Sequence, residues 1–528
     1  MTSLKARLEA LSRREFLNSS GAAVAAAAAP WAYANAASAA RYTRYSVTSR
    51  EGQVMLDSFR KAIMVMLDLK PEHPHNWFRN AFVHTMDCPH HNWWFLVWHR
   101  GYIGWFERTV RRYSGNRDFS FPYWDWSETP KVPNAMFAGV LTPTDGSYDR
   151  YISTFKTFQD FIQPAMANYY KSFTATQNTL LRERGMATTG DLWAQVVKRG
   201  MYATTKHARF PSRTSPDLDA KTTDATSKLR IDAILKAPSF EEFNSGQTSD
   251  HGQMSKDIAA LEGTPHDLTH NFCGGVGYVP NDQMGFMQDN LSPSDPLFFL
   301  HHSNMDRLYQ IWIRRQIAAG RSYLPKDEAT FKKEPFPFFF NEEGKPLLDA
   351  TAADYIDIGK FDYDYAPGTN STVVAARVAA VPGSLRRPLT GAVNGGVASI
   401  AVPAAALAKD RVLVAEVTIP NPATIDSPRE FLVLANAPSG TMTATPDNPY
   451  YIGAVAFFGF VPGMGGETTF SVPIPADKQS KLTAGPLRIQ AVSAPGLAQV
   501  QAAAPGAKQA SLRAAAPSPM TAASLTVW

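Results

Sequence analysis

Apolar positions along the chain change their period part-way. In residues 53–70, Val54, Phe59, Ile63 and Met66 recur at near-helical spacing, which predicts an amphipathic helix that Pro71 and Pro74 stop. Trp77, Ala81 and His84 fall at i, i+4 and i+7, so a short helix would carry His84 on the side of Trp77. Asp87-Cys88-Pro89 breaks it. Asn92 offers a cap for a longer helix in which Phe95, His99 and Phe106 share a face with Tyr102 or Ile103. FPYWDW, residues 121–126, reads as an aromatic turn or strand. Residues 127–256 show weak periodicity and are expected as loops and helices wrapped around a core. Gly274, Gly275 and Gly277 mark a loop. Ser294-Asp295-Pro296 then starts a helix with Phe298, His302, Met305, Tyr309 and Trp312 on one face.

Beyond about Ala350 the texture changes. Ala366-Pro367-Gly368 reads as a linker. Short valine-rich runs at 412–419, 430–435, 450–460, 468–474 and 487–492, parted by Pro, Gly, Asn and Asp, predict an all-β domain, a sandwich. Residues 494–519, rich in Ala, Pro and Gln, read as a flexible tail, and residues 524–528 as a returning edge strand. The expected fold is a mainly α domain at 41–368 followed by a β-rich, sandwich-like domain at 369–528.

Charge removes some classes of function. A net charge of +5 over 528 residues, not gathered into one basic run, gives no case for nucleic-acid binding. No apolar run of about 18 residues lies outside the N-terminus, so no membrane span is expected. Two cysteines, Cys88 and Cys273, are too few for a disulfide framework. At the N-terminus Ser12-Arg13-Arg14-Glu15-Phe16-Leu17, an apolar run at 21–29 and small residues at 34–39 form a twin-arginine leader over about residues 1–40. Such a leader implies export of a folded protein, to a periplasmic or secreted location.

Eight of the 12 histidines fall in two places: His84, His90, His91 and His99, then His266, His270, His301 and His302. His266 and His270 lie one helical turn apart, a metal-chelating spacing. His301 and His302 point about 100° apart on a helix, so only one reaches a given metal. Aligning Phe95–His99 with Phe298–His302, each an aromatic four residues before a histidine, selects His302 and leaves His301 behind it. The first cluster offers His84, His99 and either His90 or His91. Two sites of three neutral imidazoles suit copper, zinc or iron, and a facing pair of coppers would suit O2. Asp306 and Arg307, beside the second helix, read as a structural ion pair.

HNWWFLVWHRGYIGWFER and DPLFFLHHSNMDRLYQIW resemble the two copper-binding signatures of tyrosinases, catechol oxidases and haemocyanins, the type-3 copper proteins. FPYWDW, PHDLTH with its downstream Gly-Gly, and Tyr363-x-Tyr365 are similar to the same family. SPREFLVLAN and YYIGAVAFFGF resemble, more weakly, the C-terminal domain of plant polyphenol oxidases. The resemblance implies a four-helix bundle holding two copper ions, one on His84, His90 and His99 and one on His266, His270 and His302. It selects His90 over His91 and implies a thioether between Cys88 and His90. It makes Glu262 and Asp267 candidate catalytic residues, acting on a water and on a phenol proton. It implies a phenolic substrate and O2, hydroxylation of monophenols or oxidation of o-diphenols to o-quinones. o-Aminophenol oxidation or haemocyanin-like O2 carriage on the same ligands are the alternatives. A zinc hydrolase built on His266 and His270 would leave the first cluster without a role. The C-terminal domain is expected as a cap over the site, with Phe457, Phe458, Phe460 and Met464 as candidate plugs. The chain departs from the family in the six-residue gap from His84 to His90, in Val97 where proline is usual, and in Asp267 where asparagine is frequent.

Overall fold

A computed structural model describes residues 40–197, 203–373, 382–438, 441, 445–459, 463, 465–495 and 518–528. The leader, most of the Ala/Pro tail, Phe460 and Met464 lie outside the described residues.

Strand β1 (Tyr42–Arg44) leads into α1 (Arg50–Asp68), whose first turn is capped by the Ser49 hydroxyl on the Gly52 N–H. α2 (Trp77–Asp87) starts at Asn76, whose side chain accepts from the N–H groups of Phe78 and Arg79. α3 (Phe95–Ser114) ends on Gly115, left-handed at φ 72°. Asn92 is not its N-cap. Asn92 accepts from the Trp94 N–H at 3.0 Å through its side chain and shapes the turn before the helix, which begins at Phe95. The middle of the chain contributes shorter helices, among them α4 (Phe155–Ser172). A π-helical turn over Glu262–His266 runs into α5 (Asp267–Gly274). Pro265 in that turn has no N–H to donate, and the Asp267 N–H reaches back to the Glu262 carbonyl. α6 (Leu297–Ala318) follows Pro296.

These helices pack through aromatic layers. Phe299 of α6 stacks on Phe106 of α3 at 4.1 Å between centroids, and Trp312 on Phe243 at 4.4 Å. Arg44, Arg100 and Asp306 are wholly buried. Asp306 bonds Arg100 Nε at 2.6 Å and Arg44 Nη1 at 3.1 Å and accepts from Tyr363 and Tyr365. Asp306 therefore does not pair with its neighbour Arg307, which instead meets Asp125 at 3.1 Å. β3 (Tyr363–Tyr365) pairs in parallel with β1, so the two ends of the helical part meet.

After residue 382 the chain forms two five-stranded sheets, apart from one strand borrowed from the helical part. β2 (Asp257–Ile258), β10 (Glu467–Pro473), β7 (Leu413–Pro420), β12 (Ala522–Val527) and β4 (Leu389–Thr390) make the first, in that order. β5 (Val393–Asn394), β6 (Val397–Val402), β11 (Gly485–Ser493), β8 (Glu430–Ala435) and β9 (Tyr451–Ala456) make the second. Val417, Phe470 and Leu525 of one sheet join Val433, Val455 and Ile489 of the other in a single core. Three expectations shift. The run at 450–460 stops as a strand at Ala456. β4 to β6 were unexpected. β12 is no edge strand, because it lies between β7 and β4. β8 and β9 are buried along their whole length. Their second face packs on the helical part, with Leu432, Leu434, Ala454 and Ala456 against Leu268 of α5. That contact brings the chain after β9 over the clustered histidines.

Candidate metal centre

Four elements carry the histidines. α2 supplies His84 from its last turn, the turn between α2 and α3 supplies His90 and His91, and α3 supplies His99. The π-turn and α5 supply His266 and His270, and α6 supplies His301 and His302. The donor atoms of His84, Cys88, His90 and His99 all lie within 4.8 Å of one another, as do those of His266, His270, His301 and His302. The groups face each other: His99 and His302 stack at 4.1 Å and 7°, and His90 lies 6.1 Å from His266.

The far ring nitrogens are tied back. Nδ1 of His84 meets the Asn290 carbonyl at 2.7 Å, that of His99 the Phe95 carbonyl at 2.8 Å, and that of His270 the Met287 carbonyl at 2.6 Å. Nδ1 of His266 meets Asp267 Oδ1 at 2.7 Å. A carbonyl or carboxylate there requires Nδ1 to be the donor, so each Nε2 presents a lone pair. The Nε2 atoms of His84 and His266 are buried with no hydrogen-bond partner among the described residues. Nε2 of His270 and of His302 lie 3.0 Å apart. Burial pushes the pKa of His84 and of His270 down to about 3 and those of His90, His99, His266 and His302 well below the usual value. Neutral imidazoles with orphaned lone pairs converging in a dry pit fit soft or borderline cations such as copper. His301 is buried against Trp126 at 5.1 Å, and neither of its ring nitrogens has a hydrogen-bond partner among the described residues.

Behind the rings lies a second layer that spacing does not reveal. His91 is buried with φ 59°, an uncommon backbone state for a side chain of its size. Its N–H donates to Glu262 Oε1 at 2.6 Å, and its Nε2 lies 3.2 Å from Asp267 Oδ2. Glu262 Oε2 accepts from the Ser245 hydroxyl at 2.5 Å. Burial raises the Glu262 pKa to about 8, with the His91 ring opposing and Asp267 reinforcing the shift. Burial also raises the Asp267 pKa well above the carboxylate range, against a hydrogen bond from the Phe458 N–H. Cys88 Sγ sits 3.6 Å from Nε2 of both His90 and His99.

Phe458, just past β9, is fully buried. Its ring lies 4.2 Å from His270, 5.0 Å from His90 and 5.5 Å from His266, so it touches both halves of the centre. Phe457, the preceding residue, points the other way into the β core, edge-on to Phe470 at 4.9 Å.

Residues 72–315 match the common central domain of tyrosinase. The central part of the chain is thus a tyrosinase-type domain. Among similar proteins, polyphenol oxidase II of Ipomoea batatas is 25% identical over 58% of the chain, and a polyphenol oxidase of Malus domestica is 22% identical over 59%. Both are chloroplastic, and the match spans 46% of each relative's length. In fold it is similar to latent aurone synthase (TM-score 0.55, 15% identity, 93% of this chain and 89% of that one). Latent apple tyrosinase gives TM-score 0.54 and 17% identity, over 92% of this chain and 97% of that one. Among the described residues no helix is long and apolar enough to cross a membrane.

Proposed function

We propose that this protein is a dicopper phenol oxidase held latent by its own β domain. His84, His90 and His99 would hold one copper, and His266, His270 and His302 the other. The observation that carries this is the set of Nδ1 atoms tied to fixed acceptors, which aims the Nε2 lone pairs at a common space. When bound, the coppers supply two-electron exchange with O2. Two o-diphenols give up two electrons and two protons each to become o-quinones, and one O2 takes up all four of each as two waters.

The protein groups bind, orient and accept protons. Aromatic rings around the histidines keep bulk water out. Asp267 orients His266 through Nδ1, and His91 holds the other oxygen of Asp267. The Phe458 N–H steadies the Asp267 carboxylate. Withdrawal of the loop would remove that bond together with the ring and open the pit to a phenol, whose free pKa is about 10. Glu262 holds the His91 turn through the backbone and supplies a second carboxyl close behind the site. The thioether between Cys88 and His90 would fix the His90 ring, and the leader at residues 1–40 would export the folded, loaded protein.

Copper analysis and O2 uptake with catechol, tyrosine and an o-aminophenol, before and after cleavage near Ala366, test this reading. Two coppers per chain and catechol oxidation that rises on cleavage are expected. Loaded, cleaved protein that turns over no phenol would refute it, and reversible O2 binding without oxidation would mark a carrier. Peptide mass spectrometry should find the Cys88–His90 peptide lighter by two hydrogens.

A further inference from the structure

Among the described residues, Arg79 is a buried cation without a counter-ion. It lies on α2, 3% exposed, and its Nε and Nη1 atoms are buried with no hydrogen-bond partner among the described residues. No carboxylate among the described residues is within ion-pair distance of it. Its guanidinium rests on the Tyr169 ring at 3.9 Å and lies 5.5 Å from Phe340 and 5.8 Å from Phe173. These groups line a cavity of about 470 Å³ on the side of α2 away from the histidines, with Ser172 at its mouth and the exposed Glu72 on its rim.

Taking a guanidinium out of water costs several kcal/mol. Aromatic faces return only about 2 kcal/mol. A carboxylate in the cavity would accept from Nη2, the guanidinium nitrogen outside that buried set, and offset the charge. The walls restrict the choice. Three aromatic rings favour an apolar body, and Glu72 at the rim repels a doubly charged anion. The volume is in the range of small-ligand sites.

We infer that the Arg79 cavity is a second ligand site, for a monocarboxylate with an aromatic or branched apolar body. Arg79 is five residues from His84 on one helix, about 7.5 Å along its axis. A ligand there would bind the outer wall of the metal centre and never touch the metals. The inference does not depend on the proposed oxidase activity.

The test is fluorine NMR of full-length, copper-loaded protein with 4-fluorobenzoate, with and without excess tropolone, a chelator that competes for any binding at the metal centre. One saturable site that tropolone does not displace is expected, with 4-fluorobenzamide, the neutral analogue, bound at least about tenfold more weakly. Arg79→Met should weaken 4-fluorobenzoate by about tenfold or more. Ser172→Trp, which narrows the mouth and leaves the cation in place, should weaken it too, and decides the question if Arg79→Met does not fold. Absence of tropolone-resistant binding, equal binding of the amide, or unchanged affinity in a folded variant overturns the inference.

Discussion

The Phe458 ring is centred 4.2 Å from the His270 ring. A side chain this close to a proposed ligand ring, and touching His90 as well, would fill the space a flat phenol needs. Phe458→Ala in the full chain should raise catechol turnover by about tenfold, because less of the protein then sits in a blocked state. The same change should cost about 3 kcal/mol of stability, read by denaturant melting, since a fully buried ring is lost.

Replacing His270 by Asn should lower bound copper from two ions per chain to one, measured by metal analysis. His301→Asn should leave two, because His302 is the residue whose Nε2 meets His270 Nε2. Equal loss in the two variants would reassign the ligand.

His91 holds Asp267, and Asp267 holds His266. His91→Phe removes that support without touching a proposed ligand. Copper at the second site should weaken by about tenfold, as partners of metal ligands generally contribute. Chelator competition would measure it, with the first site unchanged.

The Glu262 carboxyl, with a pKa of about 8 when folded against 4.5 in the unfolded chain, binds its proton more tightly in the native state. Between those values the folded protein carries the extra proton. Stability from this group is therefore greatest at the acid end and falls as pH rises from about 4.5 to 8. Glu262→Gln should flatten that part of the stability–pH curve in copper-free protein. Nearby copper charge favours the carboxylate, so the slope should shrink in loaded protein.

Asp306→Asn leaves Arg44 and Arg100 buried with a weakened acceptor. A loss of about 3 kcal/mol is expected in chemical denaturation. Copper content in the surviving folded fraction should stay near that of the parent.

The helices around the histidines were legible because proposed ligands and core residues follow one 3.6-residue period: Phe95, His99 and Phe106 on α3, Phe298, His302 and Trp312 on α6. The strands at 413–420 and 430–435 were legible from their valines and leucines. Residues 389–402 were not, since alanine, serine and glycine there owe their strand form to the sheet they join. The two arginine partners of Asp306 lie more than 200 positions away in the chain, beyond any local pattern. The place of β12 inside its sheet depends on two residues of β4. The role of His91 rests on a backbone angle and two distant carboxylates, so sequence spacing showed it only as a rival ligand.

The seam between β1 and β3 is complete once Tyr365 has been made, whereas β12 is not complete until Val527. A ribosome needs on the order of ten seconds to span that gap. During synthesis the helical half can thus finish folding while the sheet above it still lacks its last strand. The newborn chain has an interval in which its histidine pit is formed and its roof is not yet fastened.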